Sequence, residues 1–347
     1  MISKFNYGLL RSQEKVVGSR GLLAPGGSRA EPWWGAGQRP AGLPSPAVGG
    51  YSGAMLAQQL VNGVLLGASY ALFALGFTLM FGVLRVINLT YGFYFSAGAF
   101  VALFLTRDAG FGIWAALPLA AAAAGVIAVV LDWLLLARLR RQGAPELASL
   151  MVTLGGVLAL YSAATAVLGP DIRRLPPGLV AGAPFEFFGL RVSTPQLLVL
   201  VASFVLVGAL IWLLHGTRLG LAIRAMAEKP DAAGLMGIDT GRTAALVSFV
   251  SGCLAGAGGV LIGLNFNAIQ PYMGESMMLR GFVVVIVGGL GDIRGALIAG
   301  LALGVVEVLT AGYVSSGLKE AVAFAILVAV LWTRPSGLFG RPTLRRA

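Results

Sequence analysis

The stretch LPLAAAAAGVIAVVLDWLLLA, residues Leu117 to Ala137, contains a single charged side chain. It is long enough to cross the ~30 Å hydrocarbon core of a membrane as a helix, which takes about 20 residues. It does not alternate between apolar and polar positions, as a strand of a membrane barrel would. Only helices and closed barrels satisfy their own backbone hydrogen bonds in lipid, so the stretch predicts a membrane-spanning helix.

The composition of the whole chain extends this interpretation. Hydrophobic residues make up 57% of the 347 residues and charged residues 11%, whereas soluble domains carry about 25% charged residues. Too few charges are present to cover a soluble surface, and the 50 glycines suit close helix packing in lipid. The sequence therefore predicts an all-α, polytopic membrane helix bundle of about eight or nine transmembrane helices. The predicted spans are 57–83, 89–106, 112–137, 147–168, 194–214, 244–266, 276–291, 294–312 and 318–334; the second and seventh are short or broken by glycine, so either is a candidate for a tilted or partly re-entrant segment.

Basic residues in the connecting loops predict the orientation. They form three clusters, after the third span, after the fifth span and at the end of the chain. Arginine and lysine concentrate in cytoplasmic loops, so all three clusters and the C-terminus are expected in the cytoplasm. The number of spans between successive clusters is even, which agrees with this orientation. Basic cytoplasmic loops also account for the formal net charge of +11, so no nucleic-acid partner is predicted.

Residues 1–54 differ from the rest of the chain. They are rich in glycine, proline, serine and arginine and contain no apolar run of the kind found in a signal peptide. The prediction is a disordered N-terminal extension with the working protein beginning at Met55. A net charge of +4 on this segment would have to lie outside, against the positive-inside bias; the competing explanation is a missed or re-entrant span between 57 and 106.

The chain lacks the residues that several classes of chemistry need. The chain has one histidine, His215, and one cysteine, Cys253, so neither a metal site nor a catalytic cluster is predicted, and no cofactor is expected. No G-x-x-x-x-G-K-[ST] phosphate loop is present. An ion-coupled secondary transporter and a membrane-embedded enzyme remain as alternatives to an ATP-driven transporter whose ATPase is a separate protein.

The longest cytoplasmic loop, TRLGLAIRAMAEKPDAAGLMGID (217–239), is predicted to form two short helices. Thr217 is expected to cap the first and Asp231 the second, after an interruption at Pro230. An apolar face is predicted from Leu219, Ile223, Ala227 and Leu235. Such a face either lies on the protein itself or the lipid headgroups, or docks into a groove of a cytoplasmic partner.

This loop resembles the cytoplasmic coupling segment of ATP-binding-cassette (ABC) importer permeases of the branched-chain amino acid permease family. In the family the segment sits in a cleft of the ATPase subunit, which implies the same role here. The matching positions are Thr217, Gly220, Arg224, Ala225, Ala233, Gly237 and Ile238.

Three further segments resemble the same family in the same order. The first span (58–88) is similar to the family's first helix, and RPSGLFGR (334–341) to its C-terminal ending. GGLGDIRGALIAG (288–300) resembles a glycine-rich turn of the family, with aspartate in place of serine. The residues of this packing turn are Gly288, Gly289, Gly291, Asp292 and Gly295.

The resemblance implies that 55–341 is an ABC importer permease domain followed by a cytoplasmic tail, 342–347. It would sit in the cell inner membrane and import branched-chain amino acids or a related small polar solute, such as another amino acid, urea, an amide or a small organic acid. The implied partners are two cytoplasmic ABC ATPase subunits, a second homologous permease or a second copy of this chain, and a solute-binding protein. The outer loop 169–193 is the candidate contact for that binding protein.

Three residues are candidates for the transport pathway. The family usually has Phe-Ala-His-Gly-Glu after Asn88, but here Leu-Thr-Tyr-Gly-Phe follows. Asn88 and Tyr91 therefore either border the pathway or pack against neighbours. Glu307 lies deep in a span, where ionisable residues are functional candidates, and it either lines the pathway or pairs with Arg280 or Lys319. Asp132, near the cytoplasmic cluster of arginines, is predicted to be structural.

Overall fold

The computed structural model describes residues 51–176, 179, 185–187 and 190–340. The predictions for the N-terminal extension, apart from its last four residues, and for the tail 342–347 lie outside the described residues. The described helices are α1 (Tyr51–Leu84), α2 (Tyr91–Arg107), α3 (Ile113–Leu131), α4 (Ala137–Arg141), α5 (Glu146–Leu168), α6 (Thr194–Gly216), α7 (Arg218–Glu228), α8 (Pro230–Leu235), α9 (Thr240–Phe266), α10 (Met273–Gly288), α11 (Ile293–Tyr313) and α12 (Lys319–Thr333).

Three short elements complete the fold. A π-helical turn, Asp132–Leu136, joins α3 to α4, and a 3-10 turn, Ser316–Leu318, precedes α12. Two short antiparallel strands, β1 (Phe185–Phe187) and β2 (Leu190–Val192), form a hairpin before α6. The hairpin is tied to the start of α1, because the Gln58 amide donates to the Arg191 carbonyl and accepts from its N–H, both at 2.9 Å.

Seven helical segments of the described chain are long and apolar enough to cross a membrane. The estimate of eight or nine spans is therefore slightly too high. The two predicted spans that fail are the second and the seventh, which correspond to α2 with 17 residues and α10 with 16. At about 1.5 Å per residue these helices are ~24–26 Å long, shorter than the ~30 Å hydrocarbon core.

The helix α1 lies at the centre of the bundle, since nearly every residue from Gly67 to Met80 is buried. It packs antiparallel against α11 along a seam of glycines. A Cβ added at Gly67, Gly300 or Gly304 would overlap the backbone of the opposing helix. These glycines therefore allow the backbones to approach closely, which is how helices associate in lipid without a hydrophobic driving force between them.

The short helices α2 and α10 begin inside the protein and meet there. The N–H of Gly274 donates to Ser96 Oγ at 2.9 Å, and a Cβ on Gly274 would run into the carbonyl of Gly92. Each helix follows a non-helical connection, 85–90 or 267–272. Irregular backbone is tolerated at membrane depth only where protein or a water-filled cavity surrounds it, so these connections need a buried polar environment.

The ends of the helices separate into two groups. Arg85 lies against α7, Gly82 lies close to Gly291, and residues 338–339 hydrogen-bond to the end of α10. The loop 217–239, named the coupling loop after the segment that it resembles, therefore shares one side of the bundle with the packing turn and with residues 338–339. This common side is the one that the basic clusters predict to be cytoplasmic.

The packing turn gives a test of this orientation. Leu290 is exposed, with 52% of its surface accessible. In a Cys253→Ala background, Leu290→Cys is expected to react with a membrane-impermeant thiol reagent only from the cytoplasmic side of sealed vesicles. The matched control Val314→Cys, beyond the far end of α11, is expected to react only from the outside. Labelling with the opposite sidedness would invert the orientation.

Candidate functional site

The coupling loop begins with the predicted helix cap. Thr217 Oγ1 accepts a hydrogen bond from the N–H of Gly220 at 3.0 Å and donates to the carbonyl of Leu213 at 2.6 Å. These bonds fix the sharp corner between α6 and α7. A Cβ at Gly220 would collide with the carbonyls of Leu213 and Leu214, so glycine is required at this position by the fold of the chain itself.

The apolar residues of the loop point in two directions. Ile223, Met226 and Ala233 are buried against the bundle, where they hold α7 and α8 in place. The others form an exposed apolar patch, named the cytoplasmic apolar patch after the side on which the basic clusters predict it to lie. It is made of Leu219, Leu221, Leu235 and Met236, with accessibilities of 51%, 61%, 89% and 84%. The single apolar face predicted from the sequence is therefore wrong, because Ile223 faces the bundle while Leu219 and Leu235 face outward.

The remaining positions of the coupling motif lie on α7, on α8 or directly after α8. Arg224 is exposed and Ala225 is half-buried. Gly237 adopts a positive φ of 85°, which favours glycine, and the N–H of Ile238 donates to the Ala233 carbonyl at 3.1 Å. The predicted cap at Asp231 is wrong: α8 begins at Pro230 with Lys229 as its cap residue, since proline suits the first helical position.

Arg85, which the sequence analysis did not single out, links the coupling loop to the central helix. It follows the last residue of α1, and its guanidinium donates to the carbonyls of Ala227 and Glu228 at 3.3 Å. These carbonyls belong to the last turn of α7, where a positive charge is favoured by the helix dipole. These hydrogen bonds connect the last turn of α7 to the end of α1 and to the irregular connection 85–90.

The packing turn and the C-terminal segment, which resemble the family separately, lie together in the structure. Gly288 and Gly295 pack so closely that a Cβ on either would overlap the other's backbone. Gly289 and Gly291 have positive φ values of 109° and 87°, and Asp292 caps α11 by accepting from the N–H of Gly295 at 2.9 Å. The N–H groups of Leu338 and Phe339 donate to the carbonyls of Val287 and Gly288, which fixes the C-terminal segment on this turn.

Asn88 and Tyr91 are fully enclosed by protein. Asn88 Oδ1 accepts from the Thr90 hydroxyl at 2.5 Å and from its N–H at 2.9 Å, and the Asn88 amide donates to the Tyr94 hydroxyl at 3.3 Å. The Tyr91 hydroxyl donates to the Phe73 carbonyl at 3.0 Å. These bonds satisfy the buried polar groups of the irregular connection before α2. A buried polar group without a hydrogen-bond partner would destabilise the protein.

Glu307 belongs to a buried network that joins four helices. Its carboxylate accepts from the Tyr70 hydroxyl at 2.6 Å and pairs with Arg280 at 3.3 Å. Arg280 also pairs with Glu320 at 3.1 Å. Of the two pairings considered from the sequence, the one with Arg280 forms. Lys319 and this pair border the same cavity.

A cavity of about 610 Å³, here named the outer cavity because it lies away from the predicted cytoplasmic side, is found beside this network. It is bordered by Tyr70, Arg280 and Glu307, and by amide side chains such as Asn62, Gln196 and Asn265. Neither Asn88 nor Tyr91 lines it. Glu307 is therefore paired with Arg280 and also borders a cavity large enough for a small solute. Its place on the transport pathway stays a prediction.

A second cavity, of about 760 Å³, lies between α3 and the coupling loop, on the side that the basic clusters predict to be cytoplasmic. Asp132 and Arg140 line it and form a two-pronged ion pair at 2.6 and 2.7 Å across the π-helical turn. Asp132 is 3% accessible. Its partner is thus Arg140, which locks the turn between α3 and α4 and agrees with a structural role.

Seven candidate membrane spans, two short helices that meet inside the bundle and an exposed apolar patch characterise the described part of the chain as a polytopic helical membrane protein. The sequence comparisons identify its family. Residues 59–331 match the family described as branched-chain amino acid transport system, permease component, and the chain belongs to that family.

Individual relatives agree with this assignment. The chain is 32% identical over 301 residues to the high-affinity branched-chain amino acid transport system permease protein LivH of Escherichia coli, covering 83% of this chain and 97% of LivH. It is 32% identical to BraD of Pseudomonas aeruginosa over 298 residues, with the same coverage. A probable LivH of Methanocaldococcus jannaschii is 29% identical over 285 residues, covering 78% of this chain and 88% of the relative. No solved structure matches the chain, and the ion-coupled alternative finds no support in these relatives.

Proposed function

We propose that this permease is the membrane subunit of an ATP-driven importer for branched-chain amino acids or a related small polar solute. The observation that carries the proposal is full-length similarity to LivH and BraD, which are named as high-affinity branched-chain amino acid permeases. Two cytoplasmic ABC ATPase subunits would supply the energy. A second homologous permease or a second copy of this chain would complete the membrane unit, and an outer solute-binding protein would deliver the solute.

The cytoplasmic apolar patch supports the ATPase partner. Four large apolar side chains are exposed on two short helices that project from the cytoplasmic side, and apolar helix faces of this kind dock into grooves of partner proteins. Thr217, Gly220, Ala233 and Gly237 shape these helices from within, whereas Arg224 lies on their exposed surface. ATP binding would move the docked helices, and Arg85 would pass that movement to α1.

The polar network around Glu307 supports a pathway through the outer half of the bundle. Charged groups within a membrane domain are costly and mark solute routes. We propose that the solute passes through the outer cavity beside Glu307. Asn88 and Tyr91 would support the pathway indirectly, by holding the irregular connection before α2 in place. Reorientation between outward- and inward-open states would follow the nucleotide state of the ATPases.

Reconstitution tests the proposed function. The permease, coexpressed with the ABC ATPase and permease genes that neighbour its own, is expected to copurify with the ATPase. In proteoliposomes the complex is expected to accumulate L-leucine or L-isoleucine with ATP inside and solute-binding protein outside. Uptake that is driven by an ion gradient without ATP would contradict the proposal, as would the absence of a copurifying ATPase.

A further inference from the structure

The outer cavity has one wall that is not helical. Ile172, Ala268 and Gln270 line the cavity, and they belong to two irregular segments, 171–175 after α5 and 267–272 before α10. The other described residues that line it lie in helices. The non-helical wall therefore differs from the rest of the cavity in the way it is held in place.

Backbone hydrogen bonds hold the two irregular segments together. The N–H groups of Arg173 and Ile269 each donate to the carbonyl of the other residue at 2.8 Å, which makes an isolated antiparallel bridge. Asn267 Oδ1 accepts from the N–H of Leu175 at 3.0 Å. Residues 171–175 are named the outer strap here, because they lie against the connection that leads into α10.

The outer strap has a buried apolar side and an exposed polar side. Leu175 and Ile269 are 5% and 0% accessible, whereas Asp171, Arg174 and Gln270 are exposed. Water can therefore take over the hydrogen bonds of the strap when they break, and such an exchange changes the free energy only modestly. Separation of the strap from Ile269 is for this reason a low-cost movement.

The helical walls of the cavity resist separation more strongly. The helices α1 and α11 pack along their glycine seam, and Arg280 pairs with Glu307 between α10 and α11. The helix that carries the strap, α5, is by contrast mostly exposed, and the Arg173 guanidinium donates to the carbonyl of its last residue, Leu168. Local opening occurs where few buried contacts hold a segment, which favours the strap over the helices.

We propose that the outer strap is a gate of the outer cavity, which opens when Arg173 separates from Ile269 and closes when the bridge re-forms. The proposal rests on the proposed function, because it takes the outer cavity as the route of the solute. Opening widens the cavity on the side of Ile172 and Gln270, and it frees the connection that leads into α10. A transporter that alternates between two states needs a change of this kind in every cycle.

A disulfide across the strap tests whether transport requires this opening. In an antiparallel bridge Ile172 lies opposite Gln270 as a non-hydrogen-bonded pair with Cα atoms about 4.5 Å apart, which is within the range that a disulfide spans. Both side chains are exposed, so replacing them leaves the core intact. Ile172→Cys and Gln270→Cys are combined in a Cys253→Ala background, and the complete importer is reconstituted in proteoliposomes.

Oxidation of the double variant is expected to lower ATP-driven uptake by roughly tenfold or more, because a strap fixed in the closed state cannot alternate. Reduction is expected to reverse the loss, and the reduced form serves as the reference for the two substitutions. A long, flexible bis-methanethiosulfonate that joins the same cysteines lets the strap separate, so uptake should stay at the reduced level. Oxidation should not change uptake by either single-cysteine variant.

A labelling experiment tests the gate without measuring transport. Val308 lines the outer cavity and is half-buried, so Val308→Cys in the Cys253→Ala background reports access from outside. Adding Asn267→Gly removes the bond to Leu175 and suits the positive φ of 47° at this position. The rate of reaction with a membrane-impermeant thiol reagent is expected to rise about fivefold, as for the loss of one hydrogen bond that holds the closed form.

The matched control for labelling is Ser315→Ala, which removes a side-chain hydrogen bond to the N–H of Gly317 on the outer side. Ser315 does not line the outer cavity, so the labelling rate should not change.

Three outcomes overturn the proposal. If the disulfide does not form, Ile172 does not face Gln270. If it forms and the oxidised variant transports as fast as the reduced one, the strap does not need to open. If Asn267→Gly leaves the labelling rate unchanged, the strap does not control access to the cavity. Failure of the wild-type importer to take up solute with ATP counts against the proposed function instead, and the labelling result then still decides whether the strap is a gate.

Discussion

Replacing Leu235 and Met236 together by aspartate is expected to abolish stable association with the ATPase. These residues are the most exposed members of the cytoplasmic apolar patch, at 89% and 84% accessible. Buried apolar anchors at protein interfaces contribute 2 kcal/mol or more when they are hot spots, so losing even one would weaken binding by about 30-fold or more. Two introduced carboxylates add a desolvation cost to that loss.

The measurement is the amount of ATPase that copurifies with the permease, together with ATP-driven uptake in proteoliposomes. Neither side chain packs within the permease, so its thermal unfolding in detergent is expected to be unchanged. The control Val314→Asp places a carboxylate at a similarly exposed apolar position, 70% accessible, at the opposite end of the bundle. It should retain the ATPase. Normal copurification of the double variant would mean that the patch is not the docking surface.

The structure also explains why Gly220 is a poor position for this test. Its substitution would disturb the corner between α6 and α7, so lost association would report misfolding of the loop as readily as lost docking. Substitutions on the exposed patch separate these effects because they leave Thr217, Ile223 and Met226 in place.

The substitution Gly274→Val is expected to destabilise the permease severely. Gly274 is the point where α10 meets the start of α2, and a Cβ there would penetrate the carbonyl of Gly92. Neither backbone can give way easily, because the Gly274 N–H is already bonded to Ser96. Overpacking in a close-packed interior costs about 1–3 kcal/mol and sometimes more, and here the collision is with backbone.

The matched control is Gly208→Val in α6, where a Cβ would meet nothing within 4 Å. The two variants introduce the same side chain into a helix of the same protein. The difference between their unfolding temperatures therefore reports on the α2–α10 contact. We expect a large drop in thermal unfolding temperature and loss of uptake for Gly274→Val only. Equal unfolding temperatures would show that α2 and α10 do not meet as described.

Much of the fold follows from local sequence. The boundaries of α5 and α6 agree with the predicted spans within two residues, and Thr217 caps α7 as its sequence position predicts. The shortness and the glycines of the second and seventh predicted spans indicate from sequence alone that these segments differ from the others. Hydrophobic length and capping chemistry act over a few residues, so the sequence around each element contains the information that is needed to predict it.

The site was less predictable, because its parts come from distant segments. Glu307 was recognisable as a deep charge, but its partners on α1 and α10 are more than 25 residues away along the chain. Arg85 gave no sequence signal, since an arginine at a helix end is ordinary. Its place in the structure appears only from the carbonyls that it contacts.

The sequence by itself determined that this protein is a helical membrane permease, which side of it carries the basic loops and which segments resemble its family. Composition and charge decide that the chain is a helical membrane protein and that its basic loops share one side, because transfer between water and lipid depends on each segment separately. The permease assignment comes instead from the segments that resemble the family. Only the tertiary structure decided that Ile223 turns inward while Leu235 and Met236 turn outward, and that Glu307 pairs with Arg280. It also decided that α2 and α10 meet at Gly92 and Gly274. These choices depend on which surfaces pack against each other, and packing is a property of the whole bundle that no single helix contains.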